Sequence, residues 1–226
     1  MVEIHAYHGW GFSSNFWDSL KSEIPNDIIF KAADRGYYGS HFEPKFSHNV
    51  DFKILFTHSF GLHWCPASKI NTSDVLVLFN GFGSFLPLDG FERKKVLNIL
   101  QRMYNQFSIE PDRVLTTFFD RCFFPEPKNT LPLSEYDKSL LEVDLRALEN
   151  LSFKKITPNL HIISLFGEKD RIVSPEITKH MNMQIGVRHS KIFDGVGHAL
   201  PAVKSSNCWS YLTEVLPIFA KYAKKN

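Results

Sequence analysis

The chain has 226 residues, 43% of them hydrophobic and 22% charged, enough material for one folded domain of enzyme size and far from the composition of disordered chains. Lys and Arg number 26 against 24 Asp and Glu, and the resulting charge of +2 excludes a general nucleic-acid or membrane-surface binder. Three cysteines, Cys65, Cys122 and Cys208, form no close pair and so no disulfide framework. In chain order, Val2–Tyr7 predicts a first strand, followed by His8-Gly9-Trp10-Gly11 and a helix over Asn15–Glu23. The glutamate and histidine within that first strand are unlike a secretory leader, and no apolar run approaches the roughly 18 residues of a membrane span, so a reducing cytoplasm and no membrane partner are expected. Ile28–Ala32 and Phe52–Phe56 are the next two predicted strands. The second runs into Thr57-His58-Ser59-Phe60-Gly61 and a helix over Gly61–Ser68, and Val75–Phe79 is the fourth strand.

An insertion then breaks the rhythm. Between Asn80 and about Phe153 lie helical runs over Phe91–Phe107 and Pro111–Phe123, a proline-rich bend at Pro125, Pro127 and Pro132, and a further run over Ser134–Glu149, with no strand candidate. The alternation resumes with a strand over His161–Phe166, a helix over Pro175–Gln184 capped by Ser174, a short strand over Ser190–Phe193 and a helix over Trp209–Lys224. Lys221, Lys224 and Lys225 make its end locally basic, as a solvated helix terminus is. This order predicts an α/β fold, a mostly parallel sheet flanked by helices, in one domain over residues 1–226. Helices inserted after a strand of such a sheet sit over the carboxyl ends of the strands, so residues of about 84–150 are read as a short helical lid; ordinary peripheral helices are the alternative.

Strand, tight turn and helix around Ser59 are the context of a nucleophile elbow, whose consensus is G-x-S-x-G; here Thr57 stands at the first glycine. A loop serine capping a helix has the same local pattern, and the companions decide between them. The glycines around Trp10 free the backbone to aim an N–H inward, and the amide of Phe60, next after the nucleophile, supplies a second donor for an oxyanion hole. An acid and a histidine must follow the serine in that order, and Gly167-Glu168-Lys169-Asp170 and Gly197-His198 both lie on loops after late strands. Ser59, Asp170 and His198 thus form a candidate triad for nucleophilic acyl transfer. Glu168 is the alternative acid, Asp194 is expected to face solvent, and His8 competes weakly as base. His58 either lines an acyl pocket or packs as a buried polar group. The ten histidines show no metal-ligand spacing, and no G-x-G-x-x-G or Walker loop is present, so no metal and no cofactor are expected.

Taken together, His8-Gly9-Trp10-Gly11, the elbow at Ser59, Asn80-Gly81, Val143-Asp144-Leu145-Arg146, Gly167-x-x-Asp170 and Gly197-His198 resemble the α/β-hydrolase superfamily. Within it the chain resembles the esterases of biotin synthesis that act on pimeloyl-[acyl-carrier protein] methyl ester, over nearly its whole length. Thr57 and the start of the chain almost directly on the strand before His8 depart from the superfamily's pattern. The resemblance implies attack of Ser59 on a methyl ester, with Trp10 and Phe60 holding the oxyanion. An acyl-carrier-protein partner would be matched by basic residues of the lid, Arg93, Lys94, Lys95, Arg102, Arg113 and Arg121, and solvated helix faces are the alternative reading of them. Phe85, Phe119 and Phe123 are candidate walls of the acyl channel, alongside Leu86 and Phe118. A monomer that binds no nucleic acid is expected. A general short-acyl esterase, an acyl-CoA or acyl-carrier thioesterase, and a non-catalytic binding protein of the same fold are the competing functions.

Overall fold

A computed structural model of the chain describes residues 1–126, 135–152 and 160–222, the side chains of 220–222 excepted. Six strands, β1 (Val2–Tyr7), β2 (Ile29–Ala32), β3 (Phe52–His58), β4 (Val75–Phe79), β5 (His161–Gly167) and β6 (His189–Phe193), form one sheet in the order β2-β1-β3-β4-β5-β6, every pairing parallel. A parallel sheet covered on both faces needs strands that are apolar on both, and β4, Val-Leu-Val-Leu-Phe, is buried at every position. Residues of opposite parity feed opposite faces: Ile4, Ile54, Phe56, Val77 and Leu165 join one core cluster, and Tyr7, Leu55, Leu76, Leu78 and Ile162 the other.

The helices are α1 (Asp18–Lys21, entered through a 3₁₀ turn at Ser14–Trp17), α2 (Gly61–Trp64), α3 (Ala67–Asn71), α4 (Gly90–Ile109), α5 (Pro111–Phe123), α6 (Lys138–Ala147), α7 (Pro175–Ile185), α8 (Leu200–Val203) and α9 (Ser205–Val215). Two predicted helices are divided by proline. The run expected over Gly61–Ser68 stops at Cys65, which the following Pro66 holds extended at ψ 129°. The run expected over Trp209–Lys224 begins earlier, at Ser205, and ends at Val215, because Leu216 before Pro217 is likewise extended. The predicted strand Phe52–Phe56 continues to His58, against Ser59.

Between β4 and β5 the described residues contain α4, α5 and α6 and no strand. α4 starts on Asp89, whose carboxylate accepts the Phe91 and Glu92 amides; α6 starts at Lys138, capped by Asp137, later than the predicted Ser134. Pro127, Pro132, Ser134, Phe153, Lys224 and Lys225 lie outside the described residues. Among the described residues no helix is long and apolar enough to cross a membrane. Since β1 has β2 on one side and β3 on the other, the chain reverses its progress across the sheet there, and the carboxyl ends of β1 and β3 flank the crevice where open α/β sheets bind ligands.

Candidate active site

Ser59 sits where β3 turns into α2, with φ 53°, a left-handed conformation that an L residue occupies only when the surrounding structure enforces it. Its amide donates to the Phe79 carbonyl (3.0 Å), fixing the turn to β4. Gly61 completes the bend: a Cβ there would lie 2.2 Å from the Tyr7 carbonyl oxygen, so only glycine lets α2 cross the end of β1. Thr57, at the consensus position for the first glycine, is in register with Tyr7 and Leu78. It is fully buried, and its hydroxyl has no hydrogen-bond partner among the described residues.

Asp170 follows β5 and is saturated with donors. Oδ1 accepts the amides of Ile172 (2.7 Å) and Val173 (2.9 Å), and Oδ2 accepts Asn80 Nδ2 (2.7 Å) and His198 Nδ1 (2.7 Å). Four bonds in these directions fix the carboxylate plane, and the Nδ1 bond assigns the proton of a neutral His198 to that nitrogen, leaving Nε2 as the basic one. Neither His198 Nε2 nor Ser59 Oγ has a hydrogen-bond partner among the described residues. The structure thus joins Asp170 to His198 and leaves the serine and the imidazole unlinked, as unliganded sites often do. Glu168, the alternative acid, instead accepts the Gly195 amide (3.0 Å), and Asp194 is exposed.

Trp10 and Phe60 line the same cavity as Ser59, and neither backbone amide donates to a protein acceptor among the described residues. The Trp10 indole is pinned by its bond to the Leu141 carbonyl (2.8 Å) and by edge contact with Phe118. His8 is buried, and its Nε2 accepts the Arg35 amide (3.0 Å), which engages it in holding the loop. Asn80 was not singled out from the sequence as a site residue. One polar side chain after a strand makes no spacing pattern, although its φ of 50°, which asparagine tolerates better than most residues, marks a tight turn beside the acid.

The cavity beside Ser59 has a volume of about 440 Å³ and mostly apolar walls, including Phe82, Phe85, Val96, Leu100, Phe118 and Leu145, with Lys95, Arg121 and Arg171 among its charged groups. Of the expected substrate contacts, Phe85 and Arg121 line it; His58, Phe119, Phe123 and Arg93 do not. Helical geometry separates them. On α5, Phe118 and Arg121 share the cavity face, while Phe119 turns into the core against Phe12 (5.3 Å) and Phe123 also lies near Phe12 (6.3 Å). On α4, Glu92, Lys95, Val96, Ile99 and Met103 face the cavity, and Arg93 faces solvent. His58 is sealed behind the serine; burial, followed by the charge of His198, pushes its imidazole well below the usual histidine range, so it is neutral. No cluster of three His, Cys, Asp or Glu side chains suited to a metal occurs among the described residues.

No family model matches the chain, and no curated protein matches it. Solved structures do. An esterase from Exiguobacterium antarcticum is similar at 15% identity and a TM-score of 0.73, over 94% of this chain and 92% of that one. A thermophilic esterase from Thermogutta terrifontis is similar at 13% identity and a TM-score of 0.73, over 97% and 90%. A lipase-esterase related protein from Clostridium acetobutylicum is similar at 13% identity and a TM-score of 0.65, over 95% and 94%. The chain has the α/β-hydrolase fold.

Proposed function

We propose that this protein is a serine ester hydrolase in which Ser59 is the nucleophile, His198 the general base, Asp170 the group that orients it, and the Trp10 and Phe60 amides the oxyanion hole. The observation that carries this reading is the donor-saturated Asp170 holding His198 Nδ1 at 2.7 Å, next to a serine kept in a left-handed turn on an apolar cavity. The esterase descriptions of the similar structures support it. Ser59 Oγ attacks the ester carbonyl while its proton passes to His198 Nε2, and the two amides stabilise the oxyanion. The tetrahedral intermediate collapses as His198 returns the proton to the leaving alcohol, giving the acyl-enzyme. Water, deprotonated by the same nitrogen, then releases the acid and restores the serine.

The narrower proposal is that the substrate is the methyl ester of a pimeloyl group carried on an acyl-carrier protein, so that methanol is the leaving group. An apolar cavity bordered by Lys95, Arg121 and Arg171 suits an acyl chain that emerges toward an acidic protein. Ser59→Ala tests the chemistry: hydrolysis of short p-nitrophenyl esters should fall on the order of 10⁴–10⁶-fold with folding intact. Retained activity would mean another nucleophile. Growth rescue of a biotin-requiring strain that lacks its own esterase tests the narrower substrate, because a general esterase or thioesterase should not support it.

A further inference from the structure

We propose that His58 is a positioning residue that holds the general base and the oxyanion loop in register with Ser59, through a hydrogen bond from its Nε2–H to the His198 carbonyl and through contact of its ring with Gly9. This rests on the triad reading above and adds to it a residue that touches no reacting atom.

The geometry is closed on every side. His58 is fully buried, and its Nε2 lies 3.0 Å from the carbonyl oxygen of His198, which accepts no other hydrogen bond among the described residues. Because the acceptor is a carbonyl, Nε2 carries the proton, and the neutral ring leaves Nδ1 bare. That nitrogen is buried with no hydrogen-bond partner among the described residues, an arrangement that is destabilising at an ordinary core position. What faces it is the backbone of Gly9: a Cβ on Gly9 would stand 2.8 Å from His58 Nδ1 and 3.1 Å from Ser59 Cβ. The loop carrying the Trp10 amide therefore rests on the His58 ring and on the serine together, and glycine is what permits the approach. Phe16 stacks on a face of the imidazole (centroids 4.3 Å apart, planes 28° apart), and Phe12 meets it edge-on at 5.6 Å.

His58 is also the residue immediately before Ser59, so the ring that supports the base is anchored to the same backbone as the nucleophile. Apolar packing and a carbonyl hydrogen bond fix the spacing among the three parts, and the bare nitrogen is the cost of keeping a donor there. The His198 ring lies 4.7 Å from His58, close enough that a shift of the latter moves the former. A misplacement of about 1 Å at such a site can cost on the order of 100-fold in rate.

The test compares His58→Leu, which fills the space without a donor, with His58→Gln, whose side-chain amide reaches the Nε2 position. Circular dichroism and thermal melting establish folding, and a short p-nitrophenyl ester reads kcat and KM. The expected result is a loss of about 10–100-fold in kcat for His58→Leu with KM within about twofold, and recovery to within about fivefold of wild type in His58→Gln. If the leucine variant does not fold, His58→Asn, too short to reach the carbonyl, takes its place against His58→Gln. Wild-type kcat in a folded donorless variant, or a glutamine variant as slow as the donorless one, overturns the role of His58. Ser59→Ala, assayed in parallel, keeps the two readings apart: its activity would sink the triad itself, while its inactivity beside a fully active His58→Leu sinks only this inference.

Discussion

Gly61 and Asp170 show what single positions contribute. A methyl group on Gly61 would meet the Tyr7 backbone oxygen at 2.2 Å, and backbone cannot give way as a side-chain tip can. Gly61→Ala should therefore cost at least about 1–3 kcal/mol and displace the turn that carries Ser59, removing hydrolysis as well. A melting temperature within about 2 °C of wild type would contradict this. The glycine and the serine were legible in the sequence because an elbow needs them two residues apart after a strand. Asp170 and His198 were legible as a pair because each follows a strand and their order is constrained; the structure brings them to 2.7 Å. The place of His58 and the contact of Asn80 with Asp170 were not, since each depends on which way one buried polar side chain points, and no periodicity encodes that.

Elements differ in how firmly they are attached. Helix α6 is fastened to the body: Asp144, 3% exposed, accepts both Arg35 Nε (2.8 Å) and a terminal guanidinium nitrogen (2.9 Å), Tyr37 donates to it (2.7 Å), and Trp10 donates to Leu141. Asp144→Ala would leave a buried Tyr37 hydroxyl without its acceptor and Arg35 without its charge partner. Because Arg35 is partly hydrated, a loss of about 2–4 kcal/mol is expected, with faster hydrogen exchange in α6 and around Trp10. Unchanged exchange there would show that the fastening lies elsewhere. On α4, Arg93 and Arg102 are exposed and neither lines the Ser59 cavity. Arg93→Glu with Arg102→Glu should lower kcat/KM for a carrier-borne ester about tenfold at low salt and leave a small ester within about twofold. Equal losses on both substrates would mark these residues as structural. Strand β4 is legible from composition because burial on both faces produces an unbroken apolar run, whereas β6, an edge strand exposed at three of its five positions, is marked in the sequence only by Ile192 and Phe193 at its end. The helices over Gly61–Ser68 and Trp209–Lys224 were read too long, because the apolar spacing continues across Pro66 and Pro217 while the backbone does not.

For the molecule as a whole, acid stability is set in part far from the serine. Burial would raise the Glu3 carboxyl, but hydrogen bonds from Lys31, Ser47 and His5 hold it down to about 2; burial lowers the His5 imidazole to about 4. On acidification the unfolded chain therefore takes up a proton at His5 from about pH 6.5, which the folded chain refuses until about pH 4, and Glu3 acts in the same sense at lower pH. His58, also held neutral, has that sign too. Stability in urea should fall between about pH 7.5 and about pH 5, and His5→Phe, which can still stack on Phe46, should flatten the decline; equal slopes in both proteins would remove His5 from the account. The wholly parallel sheet has a further consequence, during synthesis. β4 has no charged residue, and its outer partner β5 is encoded only after helices α4, α5 and α6, so a ribosome exposes the open edge of Val75–Phe79 for as long as those helices take to emerge. Nascent chains halted at about residue 150 should therefore sediment or bind holdase chaperones, where released full-length chains do not. Such a chain already carries Ser59 and the loop of Trp10 but neither Asp170 nor His198, so the proposed triad has to wait for the same strand that would cover the open edge of β4.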